Sequence, residues 1–331
     1  MKDEILNILK EDLIIKISFF FILFFPVILL VSTSIVNTSI VAMNLFFLAH
    51  VIKEKKFQIF NNDAFYLLLA LWIFLILNTL LNEGFSENYK RGFAFIRFIL
   101  LTFSFSYFFS YKNFKYKKVI FNFWSLILII VSFDLIFEFF FGFNTLGFKS
   151  AYDGRLAGFM GDELKIGHWF FCFSLILFGS KFSKNKYIYF TFFSLIIISF
   201  FIGERANFIR LLIAIFLFVI ITKQLNFKNS FIFIIPIIFL FLFIANVKGG
   251  KLDFFKDRFI NVVVNQAKYD SILDFNNNNK YTPLFINAYT IFKENKLLGV
   301  GLGSYYEKSH EIYRTYRFRN YTRMIPNTPP H

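Results

Sequence analysis

Cysteine is nearly missing from this chain: Cys172 is the only one in 331 residues, and it lies inside an apolar run. A single thiol excludes an intrachain disulfide and a thiolate metal cluster. Proline is scarce, with six residues, and only Pro26 and Pro236 interrupt long apolar stretches. Charge is thin at 17% of residues, and acids (21) are outnumbered by Lys and Arg (36). No HExxH, Walker, GxSxG or Cys/His metal spacing occurs, so neither a metal nor a cofactor is expected. There is no internal repeat.

Apolar residues are in excess. They make up 57% of the chain, Phe alone supplies 56 residues, and mean hydropathy is +0.58. A soluble domain of this length has too little interior to hide that surface. Repeated apolar runs of about 20 residues define a polytopic membrane protein, and only helices satisfy each span's backbone internally. The expected fold is an all-α polytopic integral membrane protein of about nine transmembrane helices plus a long periplasmic loop. The spans fall at 13–31, 34–52, 63–81, 91–111, 118–141, 166–180, 186–203, 206–222 and 230–247, so 1–247 forms the bundle and 248–331 the loop. The run at 13–31 has no small-residue cleavage site behind it and reads as a retained first span.

The net charge of +15 reports topology and not nucleic-acid binding. Loops 53–56, 112–118, 181–186 and 223–228 carry 12 basic residues, all lysine, against one acid, Glu54. The alternate loops 31–34, 82–91, 142–165 and 203–210 carry seven against six acids. The lysine-rich set therefore faces the cytoplasm, with the N-terminus inside. The outer loops add Arg91, Arg155, Arg205 and Arg210. Orientation needs only lysine, whereas arginine's planar fork grips phosphate or carboxylate through two hydrogen bonds.

Two outer segments concentrate polar chemistry. "GRLAGFMGDELKIGHWF" (154–170) places Arg155, Asp162, Glu163 and Lys165 among glycines before the sixth span. It reads as an anion site with Arg155 held by an acid such as Glu163, or as an interfacial loop turning on glycine. "FFIGERANFIR" (200–210) sets Glu204 and Arg205 in a tight turn, with Arg210 a turn or so into the next helix. Its alternative is a solvated hairpin tip with a local ion pair. Asp134 and Glu138 share one face of the fifth span. With Arg97, they are expected to form an internal ion pair or border a water cavity. His50 and His168 sit at helix ends, expected to be interfacial, and His310 and His331 lie in the long loop. In that loop Thr282 and Pro283 start an expected amphipathic helix over 283–296, with Leu284, Ala288, Ile291 and Phe292 available to one face. The "GVGLGS" run after it follows a helix and not a strand, which argues against a dinucleotide loop.

Taken in order, "GRLAGFMGDELKIG" (154–167), "GERANFIR" (203–210), "NKLLGVGLGSYY" (295–306) and "PPH" (329–331) resemble the O-antigen ligase and O-antigen polymerase family of bacterial inner-membrane glycosyltransferases. The resemblance covers about residues 60–331. It implies a metal-independent transfer on the periplasmic side of the inner membrane. The donor would be an undecaprenyl-pyrophosphate-linked glycan. The acceptor would be lipid A-core or a second lipid-linked glycan, with membrane lipids as neighbours. Carried across by position, Arg155 and Arg205 match the pyrophosphate-binding arginines and His331 the base that activates the acceptor hydroxyl. Arg210, Glu163 and Glu204 would support the donor. The family continues past this histidine with an Asn and further spans, so the chain is expected to be a truncated member. The competing expectation is a multi-span transporter or lipid-linked glycan flippase.

Overall fold

The computed structural model of the chain describes residues 11–82, 86–110, 117–152, 154–161, 165–180, 188–221, 238, 282–297, 299–301 and 304–316. The described elements are helices: α1 (Leu13–Val31), α2 (Thr33–Lys53), α3 (Asp63–Leu81), α4 (Ser86–Ala94), α5 (Ile96–Ser110), α6 (Lys117–Phe141), α7 (Ile166–Ser180), α8 (Ile188–Phe201), α9 (Arg205–Ile221), α10 (Thr282–Glu294) and α11 (Tyr305–Tyr316). Two single 3-10 turns, Phe57–Phe60 and Gly158–Met160, complete them. Five stretches are long and apolar enough to cross a membrane: α1, α2, α3, Lys90–Ser110 and α6. Helices α7, α8 and α9 are shorter apolar segments, and the expected ninth span lies outside the described residues apart from Ile238.

Helix α3 shows why this is a membrane architecture. Asn62 caps its start by accepting a hydrogen bond from the Phe65 amide at 2.9 Å. Its buried residues are polar, Asn78 and Thr79, while Leu67 is 72% exposed and Leu71, Phe74 and Leu77 are exposed too. A water-soluble helix buries the opposite set. Apolar tails are the solvent such a surface requires, and polar side chains turn inward to find partners.

The chain divides into two compact units, one of residues 1–39 and 109–264, the other of 40–108 and 265–331. In the first, α1, α6, α7, α8 and α9 pack together. Pro26 removes an amide from the middle of α1, which leaves the carbonyl four residues earlier, on Ile22, without its helical donor. The Trp124 indole N–H from α6 reaches the Ile22 and Leu23 carbonyls at 3.1 and 3.0 Å. The Trp169 N–H from α7 meets the Pro26 carbonyl at 3.0 Å. Trp124 of α6 thus supplies the hydrogen bond that the proline costs α1, and Trp169 of α7 adds a second contact at the same point.

In the second unit, His50 stands in the last turn of α2 as expected, but it is covered by protein: it is 1% exposed and lies against Tyr107 and Phe108. Arg97 lies in the same unit. Its guanidinium sits 4.8 Å from the Phe98 ring and its Nε is buried without a hydrogen bond, while its carbonyl accepts from Asn44 at 2.8 Å. Among the described residues it has no ion pair. Helix α10 begins at Thr282, but its buried face is Asn287 and Ile291, while Ala288 and Phe292 are exposed. The face is rotated because Asn287 Nδ2 donates to Ser309 of α11 at 2.9 Å, a bond worth burying. Leu284 lies outside the residues whose side chains are described.

Candidate functional site

The site is built in the first unit, from the segment after α6 and the turn between α8 and α9. After α6 the chain does not stay at the surface. It folds back far enough that Gly158 packs against Leu135, which lies well inside the helix: a Cβ on Gly158 would approach Leu135 to 3.2 Å. Backbone at that depth must find internal partners, and α6 provides them. The Glu138 carboxylate, 2% exposed, accepts from the Ala157 amide at 3.0 Å and the Gly158 amide at 2.7 Å. Asp134, fully buried, accepts from the Thr145 amide and hydroxyl at 2.8 and 2.6 Å. The internal carboxylates therefore anchor the loop that follows their own helix.

Asn144 ties the same segment crosswise. Its Nδ2 donates to the Gly158 carbonyl at 2.7 Å, and its Oδ1 accepts from Leu146 and Phe148 amides at 3.0 and 2.8 Å. One side chain so closes a local turn and bridges to a point 14 residues on.

This anchored segment meets the α8–α9 turn backbone to backbone. The Leu156 amide donates to the Ile202 carbonyl at 3.1 Å. Gly203 has φ of 79°, and a Cβ there would collide with the Gly154 carbonyl and lie 3.3 Å from Arg155 Cα. Only glycine permits both the left-handed conformation and the approach. Arg155 and Arg205, 50 positions apart in sequence, therefore sit on adjoining backbone. Both are half-buried, and among the described residues neither has an ion-pair partner.

On the other side of the turn, side chains form a line. Asn207 Nδ2 donates to Glu204 Oε2 in a short contact, and Arg210 Nη1 donates to Asn207 Oδ1 at 3.3 Å. Gly167 of α7 leaves the room: a Cβ there would reach within 2.7 Å of the Glu204 carboxyl carbon. The bond made by Glu204 is to Asn207, not the local ion pair with Arg205 that a bare hairpin tip would favour. Arg210 is exposed and held by its amide neighbour.

Of the expected site residues, Arg155, Glu204, Arg205 and Arg210 are thus gathered around one junction. Glu163 and His331 lie outside the described residues. Sequence reading passed over Asn207, whose spacing of three from both Glu204 and Arg210 puts all three on one helical face. It also passed over Asn144, for which no sequence pattern stands out. The arrangement places two arginines on adjoining backbone, neither with an ion-pair partner among the described residues, and orients a third, Arg210, through Asn207 to Glu204. No family model, no characterised protein and no solved structure matches the chain.

Proposed function

We propose that this protein transfers a glycan from an undecaprenyl-pyrophosphate donor to a sugar hydroxyl on the periplasmic side of the bacterial inner membrane, as an O-antigen ligase or polymerase does. The observation that carries the reading is the backbone junction of the Arg155 loop with the Arg205 turn, which brings together two arginines that have no ion-pair partner among the described residues. In this reading the chain crosses the membrane nine times with its N-terminus cytoplasmic, and the junction faces outward with loops 142–165 and 203–210.

The acceptor oxygen attacks the anomeric carbon as the bond from that carbon to the pyrophosphate oxygen breaks, and the electron pair leaves with the pyrophosphate. Charge grows on the leaving oxygen, and Arg155 and Arg205, already fixed at a low-dielectric boundary, stabilise it without reorganising. The acceptor's proton passes to His331 acting as a neutral imidazole base. Glu204 and Asn207 hold Arg210 beside the pair, and Glu163 supports Arg155.

Deleting the gene and extracting lipopolysaccharide together with lipid-linked glycan tests this. A ligase leaves finished polymer on the lipid carrier, and a polymerase leaves single repeats. Unchanged glycans in the deletion strain sink both. In the complementing full-length protein, Arg155→Ala and Arg205→Ala should each lower transfer by about 10²–10³-fold, the usual loss when a preorganised charge stabiliser is removed. Membrane insertion should be unchanged. Normal turnover in either variant would show that the junction is not the site.

A further inference from the structure

Beside the junction, in the same unit, lies a cavity of about 620 Å³ that the transfer reaction does not use. Leu30 of α1 with Ile127 and Val131 of α6 form its wall, and Phe148 and Met160 of the folded-back segment roof it. Among the described residues that line it, Lys149 is the only charged one, and it is exposed. Among the described residues Lys149 has no ion-pair partner. The volume falls within the ~300–1,000 Å³ of sites that hold small organic ligands.

The rim is built rather than incidental. Asp134 holds Thr145, Asn144 holds the Leu146 and Phe148 amides, and Glu138 holds the amides of Ala157 and Gly158. Every one of these bonds fixes the segment that roofs the cavity, so the opening is shaped before anything enters. Its wall is aliphatic, and among the described residues its mouth carries one positive charge, Lys149. A hydrocarbon chain suits the first, and a single negative charge the second. A pyrophosphate head brings more charge than one lysine can match, and the paired arginines 155 and 205 fit it better.

We propose that this cavity binds a monoanionic glycerophospholipid, with one acyl chain between α1 and α6 and the phosphodiester on Lys149. Bound there, the lipid presses against Gly158–Met160 and braces the loop that carries Arg155. The site is separate from the glycan-transfer reading, because lipid binding to the purified protein is measured without any glycan.

The test is native mass spectrometry and thermal unfolding of the full chain in detergent, with dioleoyl-phosphatidylglycerol as the probe. Dioleoyl-phosphatidylcholine and undecaprenyl phosphate serve as competitors. Phosphatidylglycerol should bind at about tenfold lower concentration than phosphatidylcholine and raise the unfolding temperature. Lys149→Glu should abolish that preference and Lys149→Arg preserve it. Ile130→Trp, which fills the cavity from its lining helix, should abolish binding. Leu126→Trp, on the same helix but outside the cavity, should not. Equal binding of the two phospholipids, or phosphatidylglycerol binding indifferent to both Lys149→Glu and Ile130→Trp, overturns the proposal. So does displacement of phosphatidylglycerol by undecaprenyl phosphate at equal concentration, since the cavity would then belong to the donor.

Discussion

Glu138 shows how much one side chain decides here. A carboxylate buried in a membrane helix is expensive unless it is bonded, and this one takes two backbone amides from a segment 19 and 20 residues downstream. Glu138→Ala should leave both amides without their acceptor, costing about 1–3 kcal/mol for each orphaned group. The measurement is protease cleavage within 142–161 in intact membranes, which should accelerate. Glu138→Gln keeps an acceptor oxygen and should fall between. Gly203→Ala should be worse than either, since the left-handed backbone alone costs about 1–2 kcal/mol and the Gly154 carbonyl occupies the methyl's place. Loss of folded protein in detergent at a temperature the parent tolerates is the readout. In the other unit, burial raises the Tyr305 hydroxyl's pKa, partly offset by its hydrogen bond with Ser309. The unfolded tyrosine then ionises first as pH rises, so alkaline conditions draw the chain toward unfolding. Tyr305→Phe should lose this alkaline sensitivity in a pH series of thermal scans.

At the scale of elements, the apolar runs were readable because a membrane helix declares itself by length and composition. Helices α1, α3 and α7 start and stop at the boundaries read from the runs at 13–31, 63–81 and 166–180. What the sequence did not disclose was the course of the chain between helices. Asp134 and Glu138 were legible as a one-faced pair, but their partners are amides, which every residue carries, so no residue type marks them. The face of α10 was misplaced for a related reason. Hydrophobicity ranks Asn287 as a surface residue, and the Ser309 hydroxyl opposite it makes burial favourable. That bond predicts a specific coupling. In a double-mutant cycle of Asn287→Ala and Ser309→Ala, the pair should show a coupling of about 0.5–1.5 kcal/mol in thermal or denaturant unfolding. Additive effects would mean that the two helices are held by apolar contact alone.

Across the whole molecule, the candidate site was legible only in outline. Arginines in one set of loops stood out against the lysine-only alternate set because orientation needs charge, not a guanidinium. Their meeting depended on Gly203, and the placing of Glu204 on Gly167, glycines whose meaning lies in the space they leave and so in residues far along the chain. Orientation itself is testable with the chain's scarcity of thiols. On a Cys172→Ser background, cysteines placed at Thr145 and Lys149 should react with an impermeant maleimide in spheroplasts, while one at Lys55 should react only after permeabilisation. The reverse pattern would invert the assignment of sides and remove the arginine junction from the periplasm.

The proline in α1 has a further use. Of the three tryptophans in the chain, two donate their indole N–H to carbonyls around Pro26, one from α6 and one from α7. An indole's emission moves to the red when water reaches it, so the chain carries its own optical gauge of whether these three helices are together. Separation of α6 or α7 from α1 would be visible in the emission of an unlabelled sample. A Trp72→Phe variant would leave only the gauge.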